Sequence, residues 1–175
     1  MLIQQNVDGS NFFSRSWAEF KVGFNDSRGN YWIGNDRISQ LTHSGRYKLR
    51  FDLQLRNDSN WYWAEYDTFT VLGESRNYQL HVSGYSGNIG GDALSYHNGM
   101  RFTTYDRDND PWRGGSTMHK RSRNNCAVYN GGGFWHKDCT RCSVNTVRGR
   151  GNDFKWHSPA TGNLYLQTSR MWLTC

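Results

Sequence analysis

Between residues 47 and 55 the chain alternates without interruption. Tyr47, Leu49, Phe51, Leu53 and Leu55 fall on one side, and Lys48, Arg50, Asp52 and Gln54 on the other. Successive side chains of an extended strand point to opposite faces, so this run predicts a half-buried strand with its apolar face on a core. Turn residues Asn57-Asp58-Ser59-Asn60 follow, which makes residues 61–64 the return strand, and residues 69–71 and 78–82 continue an antiparallel sheet. Upstream the period is helical. Phe12, Phe13, Trp17 and Phe20 recur behind a polar Ser10-Asn11 and predict a helix over 12–20, while Ile38 and Leu41 predict another over 36–42. From Ser83 onward glycine and short polar residues dominate, leaving room only for short strands at 127–129, 134–136 and 169–173.

The chain has 175 residues, enough for one domain with a core of its own. The expectation is an α+β fold over residues 1–175: short helices on a central antiparallel sheet (about 1–95), then an irregular, loop-rich region (about 96–175). No stretch approaches the run of about 18 apolar residues that a membrane-spanning helix needs. Met1-Leu2-Ile3-Gln4-Gln5 has none of the regions of a secretory signal. Lys and Arg total 21 against 15 Asp and Glu, a net charge of +6, but the basic residues are spread out. That distribution reads as a solvated surface, with no nucleic-acid partner expected.

Function concentrates in the loop-rich half. Asp106, Asp108 and Asp110 alternate in Asp106-Arg107-Asp108-Asn109-Asp110, and carboxylates so close repel one another unless a cation offsets them. The run is no EF-hand, because Pro111 stands where that loop needs glycine and Thr117 where it needs glutamate. All 4 cysteines, Cys126, Cys139, Cys142 and Cys175, lie near the C-terminus. An even count beside a calcium-type run points to an oxidising compartment, as do the sequons at Asn25 and Asn57; a zinc site using Cys139 and Cys142 is the competing reading. There is no Gly-x-Ser-x-Gly elbow, no His-Glu-x-x-His and no phosphate-cradling loop, so no enzymatic activity is expected.

Phrases along the whole chain resemble the fibrinogen-related domain, the module of ficolins, tachylectins, tenascins, angiopoietins and fibrinogen. They include Trp17-Ala-Glu-Phe-Lys-Val-Gly-Phe24, Tyr31-Trp-Ile-Gly-Asn35-Asp36, Gly90-Gly-Asp-Ala-Leu94, His97-Asn98-Gly99, Asp106-Arg-Asp-Asn-Asp110, Asn125-Cys126-Ala127 and Phe154-Lys-Trp156. The resemblance implies a Ca2+ site made by the side chains of Asp108 and Asp110 and the carbonyls of Trp112 and Gly114. It also implies a ligand pocket beside that site, at Tyr129, Asn130, Asp138, Cys139, Thr140 and Arg150, with a cis peptide between Asp138 and Cys139. It pairs Cys126 with Cys139. Cys142 with Cys175 is then the expected second disulfide, atypical of the family, and an intersubunit bond through Cys175 competes with it.

Four departures stand out. About ten extra residues separate Gly114 from Cys126, among them His119, Lys120, Arg121 and Arg123. Thr140 replaces the family's histidine, and Asn130 and Arg150 replace aromatic positions of its acetyl pocket. The family's small N-terminal subdomain would precede Met1, and Trp172-Leu-Thr-Cys175 replaces its usual tail. The expected function is a secreted, extracellular, calcium-dependent lectin of innate immunity. Its expected partners are microbial cell-wall glycans or other acetylated or anionic carbohydrates, with oligomerisation as a further expectation. The alternative is a protein-binding module acting through a protein receptor in adhesion or signalling.

Overall fold

The computed structural model describes residues 1–44, 46–113 and 124–175. Its frame is a large open antiparallel sheet carrying a few short helices. The strands are β1 (Leu2–Asn6), β2 (Phe24–Asn25), β3 (Tyr31–Trp32), β4 (Lys48–Leu55), β5 (Trp61–Val71), β6 (Leu80–Gly87), β7 (Lys155–Ser158) and β8 (Gly162–Thr174). They follow the order β2-β3-β1-β8-β4-β5-β6, with β7 paired to one end of β8. Thus β8 lies between β1 and β4, and residues 162–174 complete the sheet although they belong to the loop-rich half of the sequence.

The alternation in β4 sets the sheet's two faces. Leu49, Phe51 and Leu53 are wholly buried, and the register places Ala64 of β5 and Met171 of β8 on either side of Phe51. The stretches expected at 61–64 and 69–71 are one continuous strand, β5. Tyr78 has a φ of 51°, outside extended backbone, so β6 begins at Leu80.

Two expectations in the periodic regions change. The helix expected over 12–20 is a 3₁₀ turn at Asn11–Phe13 followed by α1 (Trp17–Val22). Ser16 and Glu19 cause the break: the Ser16 side chain accepts the Glu19 N–H while the Glu19 carboxylate accepts the Ser16 N–H, a capping box that starts a helix at Trp17. The second helix, α2 (Asn35–Thr42), lies where expected. The strand expected at 127–129 is instead a short helix, α3 (Cys126–Asn130), started by the Asn125 side chain accepting the Val128 N–H and ended by Gly131 at φ 75°.

Residues 134–136 make no strand beyond a single bridge between Phe134 and Thr103. Their aromatic rings go into the core. Trp135 packs within 5.2–6.2 Å of Phe102, Trp32 and Phe69, and this cluster fixes the loop-rich half onto the sheet. No helix among the described residues is long and apolar enough to cross a membrane.

Candidate functional site

The three aspartates of the acidic run have separate tasks. Asp106 Oδ1 accepts the Trp17 N–H at 2.9 Å and the Thr104 hydroxyl at 2.7 Å, so it is committed to the first turn of α1. Asp108 is exposed, and its Oδ1 accepts the Asp110 N–H at 3.2 Å. Asp110 is buried; its Oδ1 accepts the Trp112 N–H and its Oδ2 the Cys126 N–H, each at 3.0 Å. Burial pushes the Asp110 pKa up to about 7, and the neighbouring Asp108 carboxylate adds to the rise against the opposing pull of the Cys126 and Trp112 N–H groups.

A buried carboxylate with a second one against it offers hard oxygen donors and uncompensated negative charge. That chemistry fits a calcium-type cation. The carbonyl of Trp112 is a further hard oxygen, here accepting from the Arg113 guanidinium at 3.3 Å, a bond that a cation bound there would displace. Gly114 lies outside the described residues, as do His119, Lys120, Arg121 and Arg123 of the basic insertion. Among the described residues no group of three or more His, Cys, Asp or Glu side chains stands together as a metal cage. Two carboxylates supplemented by carbonyls would be the donor set of a cation held here.

Cys126 and Cys139 form a disulfide across a sequence separation of 13. Trp112 and Tyr129 pack on it with ring centroids 5.4 Å apart, forming a small apolar cluster distinct from the main core. The acidic run, the disulfide and Tyr129 are therefore contiguous, joined by the Trp112 indole against Tyr129. Gly132 permits the tight return of the chain after α3, where a Cβ would sit 1.9 Å from the Asn145 carbonyl oxygen.

The remaining expected pocket residues are placed differently. Thr140 is buried and donates its hydroxyl to the Cys142 carbonyl at 2.9 Å, which turns it into the protein. Asn130 is wholly buried; its Oδ1 accepts the Asn152 N–H and its carbonyl the Val147 N–H, clamping α3 to the following loop. Arg150 is exposed, but its guanidinium donates to the Val128 carbonyl at 2.6 Å, within α3. Asp138 is exposed, and its carbonyl accepts the Tyr96 hydroxyl at 3.1 Å. No cis peptide occurs among the described residues, so the bond from Asp138 to Cys139 is trans, the form a non-proline peptide strongly prefers.

The expected disulfide between Cys142 and Cys175 is absent: both thiols are free, Cys142 buried and Cys175 exposed. Cys142 bridges Trp156, which pairs with Leu164 near the start of β8, whereas Cys175 follows the far end of that strand. About 11 residues at ~3.3 Å each put roughly 36 Å between those positions, beyond any disulfide's reach.

One organising residue carried no sequence signal beyond its place in a family phrase. His97 is wholly buried, its Nδ1 lies 2.8 Å from the Trp135 carbonyl, and its Nε2 accepts the N–H groups of Arg141 at 3.0 Å and Cys142 at 3.2 Å. Two backbone donors on Nε2 require the neutral tautomer protonated at Nδ1. Burial accordingly pushes its pKa down to about 3, with the nearby His136 adding to the shift.

An open antiparallel sheet of this order, with paired carboxylates beside a disulfide that begins a short helix, defines a fibrinogen-like globe. The family model described as fibrinogen beta and gamma chains, C-terminal globular domain, matches residues 1–172, and the chain belongs to that family. It is 39% identical to Ficolin-3 of Homo sapiens over 83% of this chain and 45% of that protein. It is 34% identical to the fibrinogen beta chain of Gallus gallus over 98% of this chain and 42% of that one. Among solved structures, the fibrinogen-like globe domain of human ANGPTL2 superposes with a TM-score of 0.80 at 34% identity, covering 99% of this chain and 78% of that one. Lamprey fibrin D-dimer, complexed with the peptide Gly-His-Arg-Pro-amide, gives a TM-score of 0.74 at 26% identity, covering 98% and 60%. The chain spans less than half the length of these two curated relatives.

Proposed function

We propose that this domain is a non-catalytic, calcium-dependent recognition module, secreted and extracellular, that binds acetylated or anionic glycans of microbial surfaces in innate immunity. The observation that carries this reading is the buried Asp110 carboxylate with Asp108 against it, coupled through Cys126 to the disulfide loop and Tyr129. A cation held by these carboxylates and the Trp112 carbonyl, with Gly114 as a fourth donor, would offset their charge and hold the start of α3 in place. The protein's own residues do the rest: the disulfide limits the loop's freedom, and half-buried Tyr129, backed by buried Trp112, supplies apolar surface of the kind that sugars stack on. The likeness to Ficolin-3 supports the lectin class.

A second reading is a protein-binding module in adhesion or receptor signalling. It is favoured by the inward turn of Asn130 and Thr140, which removes two polar groups from the rim of the acetyl pocket. Retention on acetylated or bacterial-wall resin separates the two. The lectin reading requires elution by free N-acetyl sugar, by an anionic sugar or by EDTA; retention indifferent to all three contradicts it.

A further inference from the structure

On the outer side of the disulfide loop, two cations lie over one aromatic ring. The Lys137 ammonium is 4.7 Å and the Arg141 guanidinium carbon 4.3 Å from the centroid of Tyr96. All three side chains are half-exposed. Neither cation has a carboxylate within ion-pair distance; Arg107 over Trp17 and Arg170 over Trp61 share that feature, but among the described residues only Tyr96 carries two cations on one ring. Two like charges gathered on one ring repel, and the ring's negative face offsets only part of that repulsion.

The mounting of this trio is rigid. The Lys137 N–H donates to the Cys139 carbonyl at 2.8 Å, inside the disulfide loop. The Arg141 N–H donates to buried His97, and the Tyr96 hydroxyl donates to the Asp138 carbonyl. Tyr96 itself precedes His97 in the 3₁₀ turn Ser95–His97, so ring and cations share a single anchor. Anchoring the backbone beneath the cations limits the freedom lost on binding, and charged N–H donors make the stronger hydrogen bonds to oxyanions.

We propose that Lys137, Arg141 and Tyr96 form an oxyanion-binding platform on the rim of the disulfide loop, accepting the sulfate, phosphate or carboxylate substituent of a glycan. The platform rests on the recognition reading for the glycan that carries the oxyanion. It does not need the cation loop, whose aspartates lie in a different segment.

The test uses dextran oligosaccharides of one length bearing sulfate, phosphate, carboxymethyl or no charged group, titrated calorimetrically in EDTA at about 0.15 M salt, where long-range attraction is screened. At least one charged form binds and the uncharged form does not; the three charged arms identify the substituent. Lys137→Gln with Arg141→Gln weakens that binding by at least about tenfold, the loss expected for charge-assisted hydrogen bonds. Arg37→Gln with Arg101→Gln removes the same charge from exposed, unpaired positions and weakens it by less than about threefold. Equal losses in the two double variants, or no binding of any charged dextran to the wild-type domain, overturn the platform. If the double variant does not melt like the wild type, Lys137→Gln alone decides, with about a threefold loss expected and no loss contradicting. Calcium-dependent retention on bacterial-wall resin that survives the double substitution leaves the recognition reading standing, so the two ideas fail separately.

Discussion

Asp110 Oδ2 accepts the backbone N–H of Cys126 at 3.0 Å, joining the acidic run to the disulfide loop across an insertion of about ten residues. The bond makes Asp110 a structural anchor as well as a candidate cation ligand. Removing its side chain therefore costs stability with or without calcium, through lost partners for the Trp112 and Cys126 N–H groups.

Asp108 separates the two roles. Asp108→Asn keeps an acceptor for the Asp110 N–H but removes the second charge. In chelator this variant melts at or above the wild-type temperature, because the carboxylate repulsion is relieved. In calcium at 100 times the dissociation constant the wild type gains about 2.7 kcal/mol, roughly 5–10 °C for a domain of this size, and the variant gains far less. Thermal melts with calcium and with EDTA check this; the same calcium increment in both proteins removes Asp108 from the ligand set.

Acid sensitivity follows from two buried imidazoles. Burial lowers the pKa of His97 from its ordinary 6.5 to about 3 and that of His136 to about 4. The unfolded chain takes up these protons first. Their contribution to stability is thus complete above pH 6.5 and declines as pH falls, by as much as about 1.4 kcal/mol per pH unit for each histidine down to about pH 4. Denaturation midpoints from pH 7.5 to 4.5 should fall across that window. A flat profile, or an imidazole resonance of His97 titrating near pH 6.5, contradicts the placement.

Thr140 serves the fold. Thr140→Val removes its bond to the Cys142 carbonyl and costs about 1 kcal/mol, while leaving glycan affinity unchanged. A variant of normal stability with altered ligand affinity would place Thr140 at the binding surface instead.

The thiols give a direct chemical check. In the native, unreduced domain Cys175 reacts with a thiol reagent and buried Cys142 does not; in denaturant both react. A denatured chain with no reactive thiol would mean that they are bonded after all.

The sequence shows the sheet well where one face is apolar and the other polar, as in β4, because alternation reports burial directly. It fails where a cap decides the structure: Ser16 breaks a run of aromatics that otherwise reads as one helix, and Asn125 turns an apparent strand into α3. The acidic run is legible as a cluster of charge, yet the division of labour between Asp106 and Asp110 depends on partners 89 and 16 residues away. The same holds for Asn130 and Thr140, whose polarity suggests a pocket lining and whose hydrogen bonds are internal. Lys137 and Arg141 flank Cys139 symmetrically in the sequence, but only the fold brings Tyr96 beneath them.

A glycan array probed with the domain in calcium and again in EDTA reads calcium-dependent glycan recognition in one measurement. The expected result is binding to a subset of acetylated or anionic microbial glycans that is lost in chelator. Binding that is identical in both conditions, or no glycan bound in either, would contradict it.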